Sequence, residues 1–205
     1  GYEYIAITDH SASLKVARGL SNEDLLAQIE RIRKINSHLR NFKVLASSEV
    51  DIRKDGTLDY PDEILRKLDL VVAALHTGFK QDKRTITMRV IKALQNPFVR
   101  ILAHPTGRLL GGREAYFIDL DKVLDVAKER GIWLEINAQP ERLDLSDTWI
   151  MEAKKRGIKL VINTDAHNTD GLDLMSFGVI TARRGWAEAK DVLNTLPADE
   201  IIARK

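Results

Sequence analysis

The chain contains no cysteine. Disulfides, thiolate zinc sites and a cysteine nucleophile are therefore excluded, and a reducing, cytoplasmic setting is the expectation. It also lacks a long hydrophobic run. The longest, Leu70 to Leu75, falls far short of the roughly 20 residues that a bilayer-spanning helix needs, so no membrane is expected as a partner. No charged-then-apolar leader opens the sequence, and no secretory signal is expected. Charge of a single sign is missing too. Lys plus Arg number 32 and Asp plus Glu 30, a net of +2, which rules out a bulk polycation that would hold nucleic acid by charge alone. There is no Gly-x-Ser-x-Gly elbow and no Walker loop, so acyl-enzyme and nucleoside-triphosphate chemistry find no support. What is present is 205 residues, 44% hydrophobic and 30% charged, the balance of one globular domain spanning residues 1–205 with enough apolar material for a sizeable core.

One phrase recurs: a polar helix end, a glycine, then a β-branched run. Lys128-Glu129-Arg130-Gly131 leads into Ile132 to Ile136, and Lys154-Lys155-Arg156-Gly157 leads into Ile158 to Ile162. The glycine caps a helix in the left-handed conformation, and the run after it reads as a buried strand. Strands are expected at 4–8, 43–47, 70–75, 100–103, 132–137 and 159–163, with a short seventh candidate at Phe177–Ile180. Helices are expected at Ser21–Leu39, where Ser21 and Asp24 form a capping box, from Pro61 onward, and near 85–96, 121–130, 146–156 and 186–196. Strands alternating with helices mean a parallel α/β fold, either an open doubly wound sheet or a barrel. The opening Gly1-Tyr2-Glu3-Tyr4-Ile5 repeats the glycine-then-strand phrase without the helix that Gly1 would cap. The expectation is a chain that begins mid-fold, short of at least one β/α unit, with two strand edges exposed.

Four of the five histidines follow an expected strand directly: His10, His76, His104 and His167. His38 lies inside a helix and reads as exposed. The second strand has no histidine and ends instead at Ser48-Glu49-Val50-Asp51. In parallel β/α folds the carboxyl ends of the strands converge on one face, which holds the active site of barrels. A lone strand-end histidine is more often a structural hydrogen-bonding residue than a ligand. Four together, with Glu49 and Asp165, point to metal ligation. Imidazole and carboxylate without thiolate suit zinc, manganese or iron and do not favour calcium. Six candidates exceed one tetrahedral ion, so a cluster of two or three ions bridged by Glu49 and Asp165 is the economical reading. Such a cluster activates water and clamps a displacement at phosphorus.

Phosphate handling calls for cations near the cluster. Residues 80–92 carry Lys80, Lys83, Arg84, Arg89 and Lys92 against Asp82 alone, which reads equally as a solvated helix face. Pro105-Thr106-Gly107-Arg108 after His104 is a glycine-containing loop whose Arg108 can place a guanidinium fork on a phosphate. Arg183 and Arg184 beside Trp186 read either way. Asn137 ends the fifth strand as a substrate contact or as a rim residue. Met88, Met151 and Met175 read as core fillers.

Taken in order, Thr8-Asp9-His10-Ser11, Ser48-Glu49-Val50-Asp51-Ile52, His76-Thr77-Gly78-Phe79, His104-Pro105-Thr106-Gly107-Arg108, Glu135-Ile136-Asn137 with Pro140-Glu141-Arg142-Leu143-Asp144, and Asn163-Thr164-Asp165-Ala166-His167 resemble the polymerase-and-histidinol-phosphatase (PHP) superfamily. The runs His104 to Leu110, Arg142 to Leu145 and Ala182 to Trp186 resemble more particularly the C-terminal PHP domain of bacterial family X DNA polymerases. The resemblance covers essentially the whole chain. It implies a distorted seven-stranded β/α barrel, its first β/α unit missing here, and a trinuclear manganese or zinc site. The implied activity is that of a phosphoesterase, in this subfamily a manganese-dependent 3′-5′ exonuclease acting on DNA 3′ ends in repair. It also implies that His10, Glu49, His76, His104, Asp165 and His167 are metal ligands. The family's opening His-x-His strand and the further ligand after it have no counterpart here, and neither do the polymerase domains of the parent chain, so no DNA synthesis is expected. Two other readings stand beside the exonuclease. One is a phosphatase of small phosphorylated substrates such as histidinol phosphate. The other is a non-catalytic structural PHP module, against which the six retained positions argue.

Overall fold

A computed structural model describes residues 1–203. Six short strands form: β1 (Tyr4–Ile7), β2 (Lys43–Asp51), β3 (Leu70–Ala74), β4 (Val99–Leu102), β5 (Trp133–Asn137) and β6 (Leu160–Asn163). All neighbours pair in parallel, and the order is β1-β2-β3-β4-β5-β6. A doubly wound sheet would reverse its order part-way. This one never does, and it curls into a half-barrel. Between the strands run α1 (Asn22–Asn36), α2 (Asp62–Leu65), α3 (Lys83–Leu94), α4 (Leu120–Arg130) and α5 (Asp147–Lys155), followed by α6 (Met175–Arg184) and α7 (Ala198–Ala203). Gly131 ends α4 at φ +66°, where a side chain would be strained.

The central strands are covered on both faces, so they read as continuous apolar runs; β3, Leu-Val-Val-Ala-Ala, and β5 are buried throughout, whereas β1 at the edge is only partly covered. Successive side chains separate into two cores. Ala46, Val50, Val71, Ala73, Leu102, Leu134, Ile136, Leu160 and Ile162 pack outward against the helices, with Leu25, Ile29, Val90, Leu94, Val123, Leu124 and Ile150. Leu45, Leu70, Val72, Ile101, Trp133 and Val161 face inward to the concave side.

That inner layer is closed from below by the C-terminal segment, whose Leu193 and Ile201 are buried in it. The same segment covers the outer edge of β6. Val192 forms a parallel bridge to Leu160. The Asn194 side chain accepts from Ile162 N at 2.7 Å and donates to Ile162 O at 2.8 Å, reproducing the bonds of a neighbouring strand. The expectation of two bare strand edges is corrected at one of them: the β6 edge is paired over these residues, while β1, among the described residues, pairs with β2 alone.

Three further expectations are corrected. Phe177–Ile180 is not a strand but part of α6. Its β-forming composition is overridden by packing, because a Cβ on Gly178 would lie 2.3 Å from Ile162 Cγ2 and 3.0 Å from Ala138 Cβ, and only glycine lets the helix approach so closely. The region 186–196 is not one helix but two 3₁₀ turns, Ala189–Asp191 and Leu193–Thr195, broken at Val192. The bridge to Leu160 holds Val192 extended. Of the methionines, Met175 packs on the core, whereas Met88 is exposed rather than a core filler.

Candidate metal centre

The strand ends bring the sequence candidates together around one carboxylate. β1 runs on past its last ladder residue: His10 bridges Glu49 in parallel, with Glu49 N donating to Asp9 O at 3.0 Å and Ser11 N donating to Glu49 O at 3.1 Å. This fixes His10 beside Glu49, the inward residue of β2 near its carboxyl end. Glu49 Oε1 lies 2.8 Å from His104 Nε2 and 3.3 Å from His76 Nε2, and Oε2 lies 3.4 Å from His10 Nδ1. The rings pack edge to face, His10 to His76 at 4.9 Å between centroids and His76 to His104 at 5.3 Å.

Electrostatics keep this carboxylate charged. Burial alone would push Glu49 up, but hydrogen bonds from His104 and His76 overcome it and hold the group well below the usual carboxylate range. Burial opposes charge on His76, yet its bonds to Asp51 and Glu49 raise it to about 9. Burial likewise opposes charge on His104, and the bond to Glu49 raises it. Imidazoles around an ionised buried carboxylate are positions where a cation can replace protons.

Asp165 stands across the site at φ +50°. Its Oδ2 accepts from Asn137 Nδ2 at 3.0 Å and lies 3.4 Å from Arg142 Nε. Asn137 therefore braces the site from the rim. Glu135, two residues earlier on the inward face of β5, accepts from His104 N at 2.6 Å and from Asn163 Nδ2 at 2.8 Å. Burial pushes Glu135 up to about 7. His167 sits at the margin, its side chain 72% exposed and its ring 6.3 Å from that of His10.

Arg108 does not point to open solvent. Its Nε donates to Arg142 O at 2.9 Å and its Nη2 to Leu143 O. The two loops are knit further by Leu110 N donating to Glu141 O at 2.6 Å, and by the buried Asp144 carboxylate accepting from Thr106 N and Gly107 N. The cation this loop turns toward Asp165 is Arg142, whose Nη1 is buried without a hydrogen-bond partner. Arg89, within the basic stretch, is buried and donates to Ile52 O, Arg53 O and Thr77 O.

Sequence reasoning passed over Asp51, Glu135 and Arg142 as site residues. The first two carried a signal: polar residues two apart on the inward face at a strand's carboxyl end, Glu49 with Asp51 and Glu135 with Asn137. Arg142 carried none, because its placement depends on the fold of its loop.

The donor set fits a divalent cation. Ligating atoms of His10, Glu49 and His76 all lie within 4.8 Å of one another. The Nδ1 atoms of His10 and His104 are buried without a hydrogen-bond partner, a costly state for a polar atom unless something else binds there. Among the described residues no helix is long and apolar enough to cross a membrane.

No family model matches the chain. It is 48% identical over 203 residues to the DNA polymerase/3'-5' exonuclease PolX of Bacillus subtilis, covering 99% of this chain and 36% of that protein. A probable phosphatase of Thermoanaerobacter sp. is 32% identical over 177 residues, 82% of this chain and 67% of the relative. A probable phosphatase of Acetivibrio thermocellus is 32% identical over 175 residues, 82% of this chain and 68% of the relative. The chain thus spans about a third of the length of the polymerase and two thirds of the phosphatases. With its curled parallel sheet and histidines gathered at the strand ends, the chain belongs to the PHP superfamily.

Proposed function

We propose that this chain is a metal-dependent phosphoesterase that hydrolyses the terminal phosphodiester at DNA 3′ ends. The observation that carries the reading is Glu49, buried, with three imidazoles from three other strand ends turned on its two oxygens. His10, Glu49, His76 and His104 would hold manganese or zinc, with Asp165 and His167 completing a set for two to three ions. Ions bound there lower the pKa of water and offset negative charge at phosphorus. The remaining work falls to the protein. Asn137 holds the Asp165 carboxylate in one orientation. Arg142 offers its guanidinium to a phosphate oxygen, and Arg108, by gripping the carbonyls of Arg142 and Leu143, fixes the loop that presents it. Water adds across the phosphodiester: its oxygen joins phosphorus, and the 3′ oxygen departs with a proton. The name of the PolX relative supports the polymer substrate and a polymerase domain as partner within a longer chain.

The test is manganese-dependent digestion of a 3′-recessed DNA primer, run beside histidinol phosphate. Glu49→Gln keeps the shape and removes the charge, and is expected to lower kcat by on the order of 100-fold or more. Arg142→Ala is expected to act mainly on KM, because a phosphate clamp serves ground and transition states alike. Wild-type turnover in Glu49→Gln would remove Glu49 from the chemistry. The second reading, a phosphatase of small esters, is favoured by the two relatives that match over two thirds of their length. Rapid turnover of histidinol phosphate with DNA untouched would give the function to it.

A further inference from the structure

We propose that Asp51 is a positioning residue for the metal centre: its carboxylate occupies the Nδ1 side of His76 and so presents Nε2 to the ion. The inference rests on the metal reading given above for Glu49 and the histidines. Asp51 lies two residues beyond Glu49 on the inward face of β2 and is buried. Its Oδ1 meets His76 Nδ1, and the opposite ring nitrogen, Nε2, lies 3.3 Å from Glu49 Oε1. A ligating nitrogen must carry no proton, and an imidazole in its neutral form keeps one proton on the other nitrogen. A carboxylate at Nδ1 keeps that proton there, fixes the ring plane and raises the basicity of Nε2.

The Asp51 carboxylate is itself held. Its Oδ2 accepts from Ser13 Oγ at 2.7 Å, and the Asp51 amide donates to Ser11 Oγ at 2.9 Å. Both hydroxyls come from the loop after His10. Behind the pair stands the Arg89 guanidinium. It donates to the carbonyls of Ile52 and Arg53, which follow Asp51, and of Thr77, which follows His76. One buried side chain thus ties together the two strand ends that carry the pair. His104, whose Nε2 also faces Glu49, has no such support, since its Nδ1 is buried without a partner.

The test titrates zinc into the wild-type protein and Asp51→Asn against a chromophoric chelator. The amide can turn its NH2 toward Nδ1 and favour the wrong tautomer, so the variant is expected to bind about 10- to 100-fold more weakly, with its circular dichroism unchanged. Equal affinity in the two proteins overturns the inference while leaving the metal reading intact. A wild-type protein that binds no zinc overturns both. Should the variant fail to fold, ring ¹⁵N shifts of the zinc-loaded wild type decide instead. Zinc on Nε2 of His76 with a protonated Nδ1 is expected, and zinc on Nδ1 refutes the assignment.

Discussion

Removing the Arg89 guanidinium isolates the clamp from the rest of the site. In Arg89→Met the aliphatic stem is kept and the fork is lost. Arg89 is 3% exposed and donates to three main-chain carbonyls, at 2.7 Å to Arg53 O, 2.7 Å to Thr77 O and also to Ile52 O, with Gln81 Oε1 a further acceptor at 3.1 Å. Each carbonyl left without a donor costs about 1–3 kcal/mol. Against this stands relief from burying a charge with no carboxylate on it, which recovers part of the loss. Water entering the space recovers more. A net loss of about 3 kcal/mol follows. In a domain of this size each kcal/mol moves Tm by about 2–4 °C, so metal-free Arg89→Met is expected to melt about 6–12 °C below wild type. Arg89→Lys should recover little of this, because an ammonium cannot span three acceptors arranged for a planar fork. Differential scanning calorimetry of the metal-free proteins is the assay. A Tm within a degree or two of wild type for Arg89→Met would show that the fork holds nothing, and with it would go the claim that the ends of β2 and β3 are tied together.

Two further outcomes test the packing. Gly178→Ala in α6 should lower stability by about 1–3 kcal/mol, because the new Cβ would meet Ile162 at 2.3 Å. Helix propensity alone favours alanine by about 1 kcal/mol, so the sign of the change in chemical denaturation decides. Asn194→Ala should strip both side-chain bonds from Ile162, cost about 1–3 kcal/mol, and speed hydrogen exchange at the Ile162 amide; an unchanged exchange rate would mean that other groups cover that edge.

Much of the fold was legible because it is written in local signals. Glycines at 131 and 157 marked helix ends, and the apolar runs between them gave six strands at nearly their observed positions. The gathering of His10, Glu49, His76 and His104 followed from parallel topology, which sends equivalent strand ends to one face. What escaped was set by contacts distant in sequence. Phe177-Gly178-Val179-Ile180 has strand composition, and only its neighbours Ile162 and Ala138 explain why it is helical. Residues 186–196 have helical composition, and only the pairing of Val192 and Asn194 with β6 explains why the helix breaks. Arg108 has the right chemistry for a phosphate, but its donors face the carbonyls of a loop that begins 31 residues after it at Gln139, the acceptor for Leu143 N.

The concave side of the sheet changes character along its axis. Toward the amino ends of the strands it holds Leu45, Leu70, Val72, Ile101, Trp133 and Val161, sealed by Leu193 and Ile201; toward the carboxyl ends it holds Glu49, Asp51, His104, Glu135 and Asn137, all buried. Buried polar groups cost free energy that apolar ones in the same space would not. Folding is therefore sustained by one half of the interior and opposed by the other. Substitutions that erase the polar half have room to raise stability while abolishing chemistry, and the polar half can be rewritten for a different ester without disturbing the layer beneath it. On this division, replacing the buried Glu49, Asp51 and Glu135 with apolar residues of similar size would leave the layer beneath intact and favour a sturdier fold without a metal centre.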